Sequence, residues 1–219
     1  MNMKNLAKTL KISGAAAILL LAAPLAGRAA ELAVKPAGSL YIQGDSTLHI
    51  WRSTATELSL TFTTAKDAPA DLAEAIKASK VEAFKVEVPL AGMRSGEKGL
   101  DKNMRKTMDA SKFPDIAYAL GKYELAKSQD GAMIAKTTGS LTIAGKTQQV
   151  PMDVTFRFGP KGVELAGSYT LNMSDYGITP PTLMFGAIKV KDPVTVNFDL
   201  FVNPNAKADA PEAKTNKGE

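Results

Sequence analysis

Cysteine is absent from the 219 residues of this chain, and histidine and tryptophan occur once each. The lack of cysteine excludes disulfide bonds, thiol nucleophiles, Cys-ligated zinc and iron–sulfur clusters. The single histidine, His49, leaves no second imidazole for a transition-metal site. A relay of Asp45, Ser46 and His49 is disfavoured because neighbours on one strand do not converge on a substrate. We therefore predict no catalytic residue, no metal site, no cofactor and no enzymatic activity.

The sequence also lacks an apolar run of the about 20 residues that a membrane-spanning helix needs. Its most apolar stretch, Gly14–Leu21, follows three lysines and precedes Gly27-Arg28-Ala29, which has small residues where a signal peptidase cuts. We expect residues 1–29 to be a cleaved signal peptide. The protein is then exported to the periplasm without a stable membrane anchor.

A basic excess is missing from the predicted mature chain. The full sequence has 27 Lys and Arg residues against 22 Asp and Glu residues, but four of the positive charges lie in residues 1–29, which contain no acid. The remainder carries 23 basic and 22 acidic residues, a net charge of +1. Nucleic acid is therefore not an expected partner.

What the chain does have is strict alternation of apolar and polar residues. In one stretch Val150, Met152, Val154, Phe156 and Phe158 alternate with polar residues and a proline, and similar stretches occupy residues 163–173 and 194–202. This period is that of a half-buried strand, and several such strands in succession predict an antiparallel barrel or sandwich. We expect one domain over residues 30–203, followed by a disordered tail at 204–219 that has no large apolar side chain.

Two short helices and one long connection interrupt the strands. Residues 69–80 and 100–109 show helical spacing, and Phe113-Pro114 ends the second helical stretch. Residues 175–191 contain Pro180-Pro181 and the exposed-looking cluster Leu183, Met184 and Phe185. This cluster predicts either a lid or rim, or a loop packed on one end of the sheet.

Four segments in order resemble the YceI-like family of exported lipid- and polyisoprenoid-binding proteins. The central one runs from Met93 to Tyr118 and ends in Phe113-Pro114-Asp115-Ile116-Ala117-Tyr118. The others are the strand at 45–51 (DSTLHIW), the hairpin at 139–147 (GSLTIAGKT) and the late element at 174–178 (SDYGI). The resemblance covers residues 38–202, nearly the whole predicted mature chain.

The resemblance implies an all-β, lipocalin-like, eight-stranded antiparallel barrel with one or two short helices, often dimeric. It also implies a non-enzymatic binding protein that holds a lipid, isoprenoid or fatty-acyl chain in an apolar cavity, for transport, storage or stress protection. An eight-stranded barrel can instead be filled by its own side chains. The alternative is then an interaction module that acts through an exposed edge or the 175–191 loop.

Candidate site residues follow from the apolar faces of the strands and from the helical excursion. Each apolar residue can be plain core or can line a cavity, and flexible methionines suit a ligand of irregular shape. The candidates for the cavity wall are Phe62, Phe84, Met104, Met108, Tyr118, Met152, Phe156, Phe158, Tyr169, Met173, Phe185 and Phe198. The candidates for contact with a head group are Arg94, Lys98 and Arg105, which could equally form a solvated helix face.

Overall fold

The computed structural model describes residues 29–128 and 131–203. The predicted signal peptide and tail lie outside these residues, apart from Ala29. Two helices are present, α1 (Leu72–Lys77) and α2 (Lys98–Thr107). The strands are β1 (Ala30–Val34), β2 (Ala37–Ser46), β3 (Trp51–Ala55), β4 (Ser59–Thr64), β5 (Val81–Pro89), β6 (Met93–Arg94), β7 (Asp115–Lys127), β8 (Met133–Ile143), β9 (Lys146–Gly159), β10 (Gly162–Asn172), β11 (Thr182–Leu183) and β12 (Ile188–Val202).

All twelve strands belong to one curled, antiparallel sheet. Its order is β1-β4-β5-β7-β8-β9-β10-β12-β2-β3-β6, with β11 beside β12. The predicted antiparallel all-β class is confirmed, but the predicted count of eight strands is not. Three long extended segments are each divided in two, by Lys35-Pro36, by residues 56–58 and by a 3-10 turn at Leu90–Gly92. Proline explains the first break, because it has no N–H to donate to a ladder.

The alternation along β9 sets which side chains enter the interior. Val150 is 1% exposed and Met152, Val154 and Phe156 are half-buried, whereas Asp153 points to the outer face. β9 pairs with β8 and β10 in an unbroken antiparallel register. Because side chains alternate across a strand, this register places the apolar residues of all three strands on one concave face.

The β8–β9 hairpin shows why a particular glycine is needed. Ala144 and Gly145 both have positive φ, at 47° and 74°, which is the geometry of a two-residue hairpin turn. A Cβ atom on Gly145 would lie 2.4 Å from the Phe113 ring. Phe113 comes from the predicted Phe-Pro segment, so this turn packs against the end of the helical excursion.

Both helices are close to the predicted ranges; α1 covers part of the sheet interior, and α2 packs Met104 against the cluster around Ile42. α1 is shorter than residues 69–80, because Asp71 caps it by accepting a hydrogen bond from the Glu74 N–H at 3.0 Å. Its buried residues Leu72, Ala75 and Ile76 face the core. α2 begins and ends two residues before the range 100–109, and Asp109 beyond it has a positive φ of 49°.

The core consists of three apolar clusters along the curled sheet. The first includes Leu60 and Leu165 under α1, the second Val150 and Val194 under the 3-10 turn at Met173–Tyr176, and the third Ile42. Within the described residues, no helix is both long enough and apolar enough to span a bilayer.

Candidate ligand-binding cavity

A cavity of about 160 Å³ lies inside the curled sheet. Residues of β2, β4, β5, β7, β8, β9, β10 and β12 line it, and Ile76 of α1 and Met108 after α2 add to its wall. The interior is therefore enclosed by almost every long strand together with parts of both helical segments. The sequence alternation and the register of the sheet together produce this wall.

No charged side chain of the described residues lines the cavity. Of its few polar groups, the Tyr118 hydroxyl lies 3.1 Å from Thr137 Oγ1, and the Thr137 hydroxyl donates to the Met152 carbonyl at 2.8 Å. The Tyr123 hydroxyl accepts a hydrogen bond from the Val81 N–H at 3.2 Å. These hydroxyls already have partners inside the protein, so the wall presents an almost entirely apolar surface to a ligand.

Tyr118, Tyr123 and Tyr176 do not supply acid–base chemistry near neutral pH. Burial raises the pKa of Tyr118 and of Tyr123 above their usual value. Tyr176, which is 2% exposed and packs behind this wall, has a pKa raised to about 12, chiefly by burial. All three therefore remain neutral hydroxyls at physiological pH.

Nine of the twelve predicted wall residues lie around the cavity. Seven of them lie on strands, whereas Met108 follows α2 and Met173 begins a 3-10 turn. The rings of Phe62 and Phe84, whose centroids are 4.7 Å apart, pack beside one another. Whether they contact a ligand stays a prediction. The nine are Phe62, Phe84, Met108, Tyr118, Met152, Phe156, Tyr169, Met173 and Phe198.

Three predicted wall residues lie elsewhere. Met104 on α2 packs against the cluster around Ile42 and Met93 without lining the cavity. Phe158 faces inward on β9 but lies beyond the end of the cavity, where the Lys77 ammonium sits 4.8 Å from its ring centroid. Phe185 is fully exposed, because the backbone of its loop directs it into solvent.

Aliphatic residues make up much of the wall, and the sequence candidates omitted them. Leu40, Val88, Leu165 and Leu200 all line the cavity. The alternating pattern identifies two of these aliphatic residues, since Leu165 and Leu200 belong to the same alternating stretches as the predicted aromatic wall residues. Choosing aromatic and methionine side chains favoured large residues over inward-facing ones.

The predicted head-group cations are outside the cavity, on the excursion from β6 to α2. The Arg94 guanidinium donates to the carbonyls of Ala91 and Met93. Asp101, which is 6% exposed, accepts hydrogen bonds from the Ser95 hydroxyl at 2.7 Å and N–H at 2.8 Å. The Ser95 hydroxyl, with smaller effects from Arg105 and Arg94, lowers the pKa of Asp101.

Asp101 thus adds a negative charge beside two of the three candidate cations. Lys98 is exposed on the first turn of α2, and neither it nor the two arginines reaches the cavity wall. A contact between these cations and a ligand head group remains a prediction. Their observed contacts fit the stabilisation of the excursion itself.

The relay of Asp45, Ser46 and His49 is not assembled. The Ser46 hydroxyl donates to the backbone carbonyl of His49 at 2.8 Å, and the His49 ring Nδ1 lies 2.9 Å from the Ile50 carbonyl. Asp45 forms an ion pair with Lys191. Among the described residues, no group of three or more His, Asp or Glu side chains is placed to hold a metal ion.

Comparison with known proteins identifies relatives of this sequence. The family model of the YceI-like domain matches residues 42–202. A UPF0312 protein of Pseudomonas putida strain W619 is 33% identical over 113 residues, which are 47% of this chain and 57% of the relative. The match thus spans little more than half the length of that relative.

Solved structures with a similar fold come from three other bacteria. BcnA of Burkholderia cenocepacia has a TM-score of 0.60 at 15% identity, over 76% of this chain and 96% of that one. A polyisoprenoid binding domain from Saccharophagus degradans also has a TM-score of 0.60, at 13% identity over 80% and 99%. The Campylobacter jejuni YCEI protein gives 0.51 at 19% identity over 69% and 83%. At these identities the likeness shows the fold.

Proposed function

The chain belongs to the YceI-like family, and on that premise we propose that it is a non-enzymatic binding protein for a lipid or polyisoprenoid chain. The observation that carries the proposal is the uncharged cavity, in whose wall the hydroxyls of Tyr123 and Thr137 already have hydrogen-bond partners. Burying a hydrocarbon chain contributes about 0.8 kcal/mol per CH₂ group. Such a site can therefore bind without a polar motif.

The size of the cavity limits what enters without rearrangement. Its volume of about 160 Å³ is close to the ~150 Å³ of an engineered apolar cavity that takes up benzene. A longer chain needs wall side chains to change rotamer. Met108, Met152 and Met173 line the cavity, and unbranched thioethers adapt to such changes more readily than branched side chains.

The similar domain from Saccharophagus degradans is described as binding a polyisoprenoid, which supports an isoprenoid as one ligand class for this chain. The proposal also includes export to the periplasm after cleavage of residues 1–29, one barrel domain over 30–203, and a possible homodimer. Transport, storage and stress protection are all compatible roles for such a carrier.

An eight-stranded, lipocalin-like barrel is part of the same proposal. β1 and β2 are two residues apart, and β1 pairs with β4 while β2 pairs with β12 and β3. Treating β1–β2, β3–β4 and β5–β6 as three bent strands, beside β7 to β10 and β12, gives eight. The pairings support a sheet that returns upon itself around the cavity.

Native mass spectrometry of the protein purified from its own cells tests the proposal. We expect a discrete extra mass on the folded protein, which organic solvent releases as a fatty-acyl or prenyl species. Incubation of the stripped protein with prenyl lipids and fatty acids should restore the added mass. A bare protein that takes up neither class would contradict the carrier function and favour an interaction module.

A further inference from the structure

Four large apolar side chains are highly exposed in the described part of the chain, and all four belong to two neighbouring loops. Leu48 and Ile50 are 65% and 64% exposed, and Met184 and Phe185 are 71% and 114% exposed. We call residues 47–50 and 182–189 together the apolar tip. Scattered apolar residues on a surface are ordinary, but a group of them marks an interaction site.

Hydrogen bonds hold the two loops of the apolar tip together. The Thr47 N–H donates to the Lys189 carbonyl at 3.0 Å, and the Thr47 hydroxyl donates to the Ala187 carbonyl at 3.2 Å. The Lys189 N–H donates to Thr47 Oγ1 at 3.1 Å. The exposed side chains are therefore presented by one connected structure rather than by two independent loops.

The backbone at the apolar tip is strained in a way that exposes Phe185. Met184 and Phe185 have φ values of 52° and 54°, in the left-handed region that non-glycine residues rarely adopt. Such strain persists where the surrounding structure imposes it and is concentrated at functional sites. Here the strained pair carries two of the most exposed apolar side chains of the described residues.

The apolar tip itself carries Lys189 and no carboxylate, and the acids nearest to it in sequence, Asp45, Asp175 and Asp192, flank its two loops. Of these, Asp192 accepts hydrogen bonds from Ser174. Lys191 is paired with Asp45, but no carboxylate of the described residues pairs with the exposed Lys189. An apolar surface with cationic neighbours complements a layer of anionic lipid head groups over an acyl interior.

We propose that the apolar tip docks this protein on the surface of an anionic lipid bilayer. A second protein is a poorer fit, because stable protein interfaces bury about 800 Å² on each partner and the tip offers four side chains. A second copy packed tip to tip would bring Lys189 towards its own symmetry mate. Shallow insertion of a few apolar side chains gives weak and reversible membrane binding.

The apolar tip lies on the same strand as part of the cavity wall, a short distance along β12. Lys189 is near the start of β12, and the cavity wall on β12 begins at Val194. At about 3.4 Å per residue, this separation is at most ~17 Å along the strand. Docking would thus bring one end of the cavity close to the interface. The docking proposal nevertheless stands on the surface of the tip, and it does not depend on what the cavity binds.

Vesicle flotation with Phe185→Ser tests the proposal. The protein, purified after the cell has processed it, is mixed with vesicles of phosphatidylglycerol and phosphatidylethanolamine or with vesicles of pure phosphatidylcholine. We expect wild type to float with the anionic vesicles and much less with the neutral ones. Phe185→Ser should lower the partition coefficient at least tenfold, whereas Phe185→Leu, which stays apolar, should remain within about twofold of wild type.

A second pair of variants tests the charge. Lys189→Gln should reduce flotation about fivefold at low salt. Lys161→Gln makes the same change in the exposed β9–β10 turn, beside the far end of β12, and should have no effect. Circular dichroism must show that all variants keep the fold.

Three results, two from flotation and one from sedimentation, would overturn the docking proposal. The first two are equal flotation of wild type and Phe185→Ser, and no flotation of wild type on anionic vesicles. The third is a wild-type protein that sediments as a dimer while Phe185→Ser sediments as a monomer. The apolar tip would then bind a second copy of the chain.

Discussion

Ala135→Phe is expected to reduce uptake of an apolar chain at least a hundredfold while the protein stays folded. Ala135 on β8 is 2% exposed and lines the cavity, beside Val154 and Leu125 in the register. A phenyl ring occupies a space similar to benzene, which fills an apolar cavity of ~150 Å³. The added side chain would therefore take most of the volume of about 160 Å³ that a ligand needs.

Titration of the stripped protein with a fluorescent fatty-acyl probe measures this loss, and thermal unfolding checks the fold. The control is Ala119→Phe, the same substitution on the exposed outer face of β7. It should leave binding unchanged. Wild-type affinity in Ala135→Phe would contradict a ligand inside the cavity, and an equal loss in Ala119→Phe would show that the effect does not depend on the cavity.

Gly38→Ala is expected to destabilise the fold by about 3 kcal/mol. Gly38 in β2 has a φ of +102°, and a Cβ atom there would lie 2.2 Å from the backbone oxygen of Asp199 in β12. Neither backbone can move away without breaking the β2–β12 ladder. For a domain of this size, the loss corresponds to a fall in Tm of roughly 6–12 °C.

Gly99→Ala is the matched control, because the same substitution is made at a position where it should stabilise the fold. Gly99 lies in α2 and its φ is not positive. A Cβ atom there would have no side chain or other packed group within 4 Å. Alanine favours a helix over glycine by about 1 kcal/mol, so the free energy of unfolding should rise slightly. Chemical denaturation of both variants measures the difference. A Gly38→Ala protein as stable as wild type would show that β2 does not approach β12 this closely.

The strands could be predicted from the sequence because alternation reports which face of a strand is buried. Val150, Met152 and Phe156 lie on the inner face of β9 as that pattern indicates. Alternation does not report where a strand breaks. The break at Lys35-Pro36 follows from proline, whereas at Leu90–Gly92 a 3-10 turn, whose Leu90 N–H donates to the Pro114 carbonyl, separates β5 from β6.

The cavity wall could be predicted only in part, for a related reason. Phe158 follows the same alternation as Phe156, yet it lies past the end of the cavity beside Lys77. The period fixes the direction of a side chain but not the depth at which the cavity ends. In the cluster that contains Phe158, Ile76 of α1 forms part of the cavity wall. Phe185 lies in a loop, where no period applies, and its exposure follows from a left-handed backbone.

The most direct test of the carrier function is a crystal structure of the protein with a bromine-labelled fatty acid or prenyl chain. Anomalous scattering locates bromine independently of the protein model. We expect the bromine peak inside the curled sheet, in contact with wall residues such as Tyr118, Val154 and Phe198. A peak found only at the exposed residues around Phe185, or no peak in a cavity that keeps its volume, would contradict the account.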